Sequence, residues 1–341
     1  MNQRKIRIGF PASAFNPDGS IAFPDFDISA VTQAPDVEVV VLPKGKEYSA
    51  ADLRDLDILV SAPGEPEVTR AALAEPDRLG LVVNLSIGHE NVDLDACSDR
   101  GIAISLAVDP ILRPTAIATI TMLLAVTTKL LKKHDLAKQG PDGWAQAGRQ
   151  ESMVLDGKTL GIVGLGRIGQ QVARFIKPFG MKVIACDPYL DPQIAADLGV
   201  PLVALDEVFS RGDVVTLHTP LNNETRGMIT SAHLGRMKPT AYLLNLSRGP
   251  VTDRQALYDT LASGRIAGAG LDVFHDEPMP ADDPLLALPN VTLSAHVLAV
   301  TGEMWPGLAK HLVDGVAAYR EGKLPKHVQN QARLPAGWPA R

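Results

Sequence analysis

The chain is poor in several things, and each shortage narrows what it can be. Only two of its 341 residues are cysteines, Cys97 and Cys186. That leaves no CxxC pair, no thiolate metal cluster and no disulfide framework, and both read as reduced, mostly buried small apolar residues of a cytoplasmic protein. Aromatics make up 5%, and basic residues number 33 against 39 acidic ones, for a formal charge of −6 and a pI near 5.8. A mildly acidic surface argues against a broad footprint for nucleic acid or anionic membrane. No apolar run follows the basic start MNQRKIRIGF, so no secretory leader is expected. The most apolar uncharged stretch, residues 114–128, carries five threonines and falls short of the roughly 20 apolar residues of a membrane span. It reads as part of a buried helix.

What the chain does contain is repeated alternation. Short runs rich in Val, Ile and Leu at 5–10, 37–42, 57–62, 81–85 and 102–106 alternate with helical patterns, such as residues 91–100 closed by Gly101. Strands apolar on both faces, separated by helices, imply parallel pairing in an α/β sheet. A long helix is expected over 111–136 and a polar loop over 139–150. A second series follows at 159–163, 182–186, 213–217, 241–246, 267–273 and 291–294, enough for a complete doubly wound nucleotide-binding unit. From Thr301 onward there is one helix and a Pro-rich extension, too short to stand alone and expected to return to the N-terminal domain.

The second series opens with TLGIVGLGRIG, an apolar strand running into Gly164-x-Gly166-x-x-Gly169 and then a helix over 170–179. The first glycine permits the tight turn, the second lets backbone approach a pyrophosphate, and the third lets helix pack on strand. The diphosphate then lies at a helix N-terminus, where free N–H groups and the dipole favour negative charge. The next strand ends at Asp187, 18 positions beyond Gly169, where a carboxylate accepts the adenosine ribose hydroxyls and repels a 2′-phosphate. The expected cofactor is therefore NAD (NADH), with NADP disfavoured. Arg167 reads as a pyrophosphate contact. A further glycine cluster, Gly264, Gly268 and Gly270, precedes a strand and reads as a turn with close strand packing.

Ligands of open α/β sheets bind beyond the carboxyl ends of the strands. The polar residues there are His218-Thr219-Pro220, Asn245-x-Ser247-Arg248, Asp272 through Glu277, and His296. Reduction of a 2-oxo acid by a nicotinamide needs a fixed cation for the carboxylate, a proton donor for the developing alkoxide, and a group that keeps the donor charged. Arginine suits the first through its bidentate fork, histidine the second, and a neighbouring carboxylate the third. Arg248, His296 and Glu277 fill these roles, and no metal is called for.

The segments GxGRIG, LHTPLNNET, LLNLSRGPVTD, AGLDVFHDEP and LSAHV together resemble the D-isomer-specific 2-hydroxyacid dehydrogenase family over residues 160–296. The resemblance implies a two-domain α/β protein. A Rossmann-type doubly wound NAD-binding domain over 114–296 would accompany a discontinuous flavodoxin-like substrate domain over 1–113 and 297–341. It implies NAD-linked interconversion of a 2-oxo acid and its D-2-hydroxy acid by a homodimer built through the cofactor domain. It further implies that Asp272 holds the nicotinamide amide, that Thr219 and Leu246 line the cofactor, and that Ile87 and Gly88 meet the substrate carboxylate through backbone amides. The cofactor set expected is thus Gly164, Gly166, Arg167, Ile168, Gly169, Asp187, His218, Thr219, Pro220, Leu246 and Asp272. The substrate set is Ile87, Gly88, Arg248 and His296. Glu90, Ile117 and Ala295 depart from the residues usual at their positions but remove no catalytic group. An NAD-sensing binding protein of corepressor type, on the same fold without turnover, is the alternative. Formate or phosphite oxidation is a lesser one, since formate-type members lack the carboxylate of Glu277. Trp305 reads as a pocket wall, as core or as a dimer contact.

Overall fold

The computed structural model describes residues 4–23, 25–75 and 78–338. The chain forms two compact units, Met1–Ile111 with Thr301–Arg341, and Leu112–Val300. These divide at 111/112 and 300/301, where the sequence reading divides at 113/114 and 296/297.

The first unit holds a five-stranded parallel sheet of β1 (Ile6–Pro11), β2 (Val37–Leu42), β3 (Ile58–Ser61), β4 (Leu81–Asn84) and β5 (Ala103–Leu106), in the order β2-β1-β3-β4-β5. That is the flavodoxin-like order, with its topological switch between β1 and β3. Ile8, Phe10, Ile58, Val60, Leu81 and Val83 alternate onto one buried face. The C-terminal helix Met304–Arg320 covers that face with Leu308, Leu312 and Val316. Truncating fully buried Leu312 to Ala would cost about 2–5 kcal/mol. Beyond the helix, the chain bridges antiparallel to β5 at Val328 and Ser105. Asn330 then bonds Ile104 N and Ile102 O. Trp305 stacks on Phe23 at 4.4 Å within this core, so it is a packing residue.

The second unit holds β6 (Thr159–Val163), β7 (Lys182–Cys186), β8 (Val214–Leu217), β9 (Tyr242–Asn245), β10 (Gly268–Leu271) and β11 (Val291–Leu293). All are parallel, in the order β11-β10-β9-β8-β6-β7. Leu160, Ile162, Val214 and Leu244 enter one core, while Val163, Val215, Leu217 and Leu243 enter another. Both faces of the sheet are therefore buried, which is why its strands read as unbroken apolar runs. Gly270 lies against the helix Val108–Thr128, since a Cβ there would stand 2.5 Å from Met122 Cγ.

That helix corrects two expectations. It spans 21 residues and is long and apolar enough to cross a membrane, more than the stretch 114–128 suggested. Yet Ala116, Ala118, Ile120, Met122, Leu123 and Val126 are buried in the protein's own core. The single helix expected over 111–136 breaks at Lys129, which adopts φ 54°, before a second helix Leu130–Ala137. The Thr127 and Thr128 carbonyls are taken by Met153 N (2.8 Å) and Ser152 Oγ (3.3 Å), which ends the helical ladder there. The expected polar loop over 139–150 contains a helix, Pro141–Ala147. Pro141 opens it, Asp142 favours its first turn, and Trp144 Nε1 donates to Ala137 O at 3.1 Å. Both cysteines are free, and burial pushes the Cys97 thiol up to about 12.

Candidate active site

β6 delivers the chain into Gly164 at φ +90°, a conformation that favours glycine. A Cβ on Gly164 would stand 2.8 Å from His218 O, and one on Gly169 only 2.3 Å from Gly164 O. Those two glycines are needed by the protein itself. Gly166 differs, because nothing lies within 4 Å of where its Cβ would be. Its backbone faces open space at the N-cap of the helix Arg167–Ile176. This helix begins earlier than the expected residue 170, placing exposed Arg167, half-buried Ile168 and buried Gly169 in its first turn.

The rim around the loop is built by polar groups at strand ends. Asp187, just after β7, accepts from Leu165 N (2.9 Å) and Tyr189 N (3.0 Å), tying the glycine loop to the next strand. His218 shares a hydrogen bond with Thr216 Oγ1 (3.1 Å), and burial draws its pKa down to about 4, so it is neutral. Thr219 Oγ1 is buried and has no protein partner among the described residues. Pro220 is exposed and its carbonyl accepts from Thr225 Oγ1, while Leu246 is buried after β9. An open glycine turn at a helix N-terminus, a carboxylate at the second strand's end and an orphaned buried hydroxyl beside them fit a dinucleotide.

The second cluster follows β9, β10 and β11. Asn245 is buried at the end of β9 and locks the turn after it. Its Oδ1 accepts from Ser247 N and Oγ, and its Nδ2 donates to Arg248 O at 2.9 Å. Arg248 Nη1 donates back to Ser247 O (2.7 Å). At Gly249 the backbone of Phe274 passes so close that a Cβ would lie 2.1 Å from it. That contact lays the loop bearing Glu277 against the segment bearing Arg248.

His296 Nδ1 and Glu277 Oε2 are 2.7 Å apart, and Glu277 Oε1 accepts from Phe274 N at 2.9 Å. With the carboxylate accepting from Nδ1–H, Nε2 is left for a ligand. Burial pushes the Glu277 carboxyl up. The His296 bond, the Phe274 N–H and the charges of His296 and Arg248 outweigh that and hold it below its usual value. His296 sits at φ +58°, unusual for a residue with a side chain. Buried Asp272 supports that turn, its Oδ1 accepting from Ser294 Oγ, Val297 N (3.2 Å) and Leu298 N (3.3 Å).

Arg248, Asp272, Glu277 and His296 thus belong with the glycine loop in the second unit. Ile87 and Gly88 belong to the first, in the turn after β4. There Asn84 Nδ2 donates to Ser86 O (3.0 Å) and Gly88 O (2.8 Å), and Gly88 N donates to Ser86 Oγ (3.2 Å). Sequence reasoning passed over Asn84, whose signal was a polar residue closing an apolar strand. It also passed over Arg254, whose carboxylate partners are distant in sequence.

Residues 120–297 match the sequence model of the D-isomer specific 2-hydroxyacid dehydrogenase NAD-binding domain. A glyoxylate reductase of Korarchaeum cryptofilum is 37% identical over 292 residues, 85% of this chain and 87% of that protein. The crystal structure of a glyoxylate reductase from Paecilomyes thermophila superposes with a TM-score of 0.81 at 25% identity, covering 96% of this chain and 100% of that one. A D-lactate dehydrogenase from Aquifex aeolicus, complexed with NAD and lactic acid, gives 0.76 at 26% identity, covering 92% and 96%.

Proposed function

The chain belongs to the D-isomer-specific 2-hydroxyacid dehydrogenase family and interconverts a 2-oxo acid and its D-2-hydroxy acid with NAD, and from that premise we propose that Arg248, Glu277 and His296 carry the reaction. The observation supporting this most strongly is the 2.7 Å contact between His296 Nδ1 and Glu277, whose loop packs through Phe274 against Gly249, the residue after Arg248.

NADH, when bound, supplies the hydride that reaches the carbonyl carbon, and its oxidised form takes it back in the reverse direction. Arg248 binds the substrate carboxylate through its guanidinium fork. His296, as imidazolium, donates the Nε2 proton to the carbonyl oxygen as charge develops there, and Glu277 stabilises that imidazolium. Gly164, Gly166, Arg167, Ile168 and Gly169 would hold the diphosphate, and Asp187 the adenosine ribose. His218, Thr219, Pro220, Leu246 and Asp272 would line the rest of the cofactor. The Asp187 carboxylate sets NAD over NADP by repelling a 2′-phosphate.

The substrate is a small 2-oxo acid of the glyoxylate class, supported by the glyoxylate reductases among the relatives. The active form is a homodimer. Exposed apolar residues Leu130, Leu131, Trp144 and Val154 in the second unit supply a surface that a second copy would cover. Two free cysteines and a nicotinamide chemistry suit the cytoplasm. A panel of 2-oxo acids with NADH and NADPH tests the reading. Turnover of glyoxylate with NADH, lowered about 10²-fold by Arg248→Ala, is expected. NADH binding without turnover on any acid would overturn it in favour of a sensing role.

A further inference from the structure

Glu277 sits in an awkward place for a residue that must hold a histidine. Its loop runs from the end of β10 to the short 3-10 turn Pro284–Ala287 and contains Pro278, Pro280 and Pro284. Prolines have no N–H to give, so backbone bonding alone restrains such a loop weakly. Side chains tie it down instead. His275 Nε2 lies 2.8 Å from Thr252 O. Arg254 Nη1 donates to Asp276 Oδ2 at 2.7 Å, and Nη2 donates to Asp283 Oδ2 at 2.8 Å.

One guanidinium therefore grips the loop at two points, one of them the residue adjoining Glu277. The grip has a firm base. The Asp283 side chain is only 6% exposed, and its other oxygen accepts from Leu285 N at 3.0 Å. Arg254 is itself the first residue of the helix Arg254–Ala262, whose start is capped by Asp253 accepting from Ala256 N (2.8 Å). It stands six positions after Arg248. Arg254 thus adds a two-point tie to the His275–Thr252 and Gly249–Phe274 contacts that join the substrate anchor's segment to the loop carrying the histidine's partner. Arginine's rigid fork is suited to this, whereas a lysine ammonium would hold as a point charge.

We infer that Arg254 is a positioning residue for the reaction: it keeps Glu277 oriented on His296 and makes no contact with substrate or cofactor. The inference rests on the Glu277–His296 reading above. An exposed salt bridge with no such role would change stability slightly and turnover not at all.

The test is a double-mutant cycle on the full-length enzyme, with glyoxylate and NADH as probes. Arg254→Met is made in the wild-type and Glu277→Gln backgrounds, and NADH affinity is followed by nucleotide fluorescence. If Arg254 acts through Glu277, R254M lowers kcat/KM about tenfold or more in the wild type and less than twofold in E277Q, with NADH Kd within twofold throughout. An equal loss in both backgrounds, or a matching loss of NADH binding, overturns the inference. If R254M does not fold, Asp276→Ala, which cuts only the tie beside Glu277, is put through the same cycle with the same criteria. An E277Q enzyme as fast as wild type would overturn the triad reading and this inference together. A cycle that is simply additive overturns this inference alone.

Discussion

The two units of this chain share the plan of their first four strands and diverge at the turn after the first. Both sheets place the second strand outside the first and the third inside it, β2-β1-β3 and β7-β6-β8. Each has an aspartate at the entry to its third strand that accepts the first strand's amide, Asp57 from Arg7 N and Asp213 from Thr159 N, both at 2.8 Å. Each aspartate also has a cationic partner, Arg78 or Lys238. Each fourth strand ends in a buried asparagine that bonds the turn after it, Asn84 to Gly88 O and Asn245 to Arg248 O. The difference lies after the first strand. β1 runs through Pro11 into the short turn Ala12–Ala14, while β6 runs through Gly164 and Gly166 into a helix with an open N-terminus. The turn at which we propose the nucleotide binds thus differs from its counterpart by side chains that are absent, not by ones that are added.

Predictions that probe this contrast run from large to small. His296→Ala should lower kcat for 2-oxo acid reduction by about 10²–10⁴-fold with NADH affinity unchanged, as read by steady-state kinetics beside fluorescence titration. Arg248→Ala should cost kcat/KM about 10²-fold, the worth of a lost charge-assisted fork at roughly 1.5–3 kcal/mol per bond. At the glycine turn, Gly166→Val should weaken NADH binding more than about tenfold while leaving stability within about 0.5 kcal/mol, because nothing in the protein lies within 4 Å of the added Cβ. Gly169→Ala should lose binding and also about 1–3 kcal/mol of stability, since its Cβ runs into Gly164 O. Ser13→Ala, in the matching turn of the first unit, should leave NADH binding alone. Equal losses from Ser13→Ala and Gly166→Val would break the contrast.

The smallest effects sharpen the likeness. Asp213→Asn and Asp57→Asn should each cost about 1–3 kcal/mol in chemical denaturation near neutral pH. Burial raises the Asp213 carboxyl, but Lys238 and Thr159 N outweigh it and leave the pKa lowered. Its stabilising contribution is therefore full above the unfolded value of 3.8 and disappears as pH falls through the lower folded value. The gap between wild type and D213N should narrow below that pH. A gap that widens would reverse the sign of this argument.

How much was legible follows from what each feature depends on. β6 and β7 were readable to the residue, because buried parallel strands are apolar runs bounded by turn formers. The break at Lys129 was not, for it depends on Met153 and Ser152 returning from two dozen residues away to take the helix's last carbonyls. Nor was the helix Pro141–Ala147, which lacks an apolar stripe and is held by Trp144 against Ala137. The candidate site divides the same way. Strand ends mark where Asn245, Arg248, Asp272 and His296 must lie, and chemistry suggests their partners. That Asp272 turns its Oδ1 toward the amides beyond His296, or that Arg254 reaches Asp276 and Asp283, is a matter of three-dimensional approach that no spacing encodes.

The central claim is an imidazole held by a carboxylate as it gives up its proton, and kcat/KM of Glu277→Gln with glyoxylate and NADH, read beside NADH affinity, tests it directly. Glutamine keeps the size of the side chain but removes the charge that stabilises the imidazolium, so kcat/KM should fall about 10²-fold or more while NADH Kd stays within twofold. An E277Q enzyme as fast as wild type would contradict the claim.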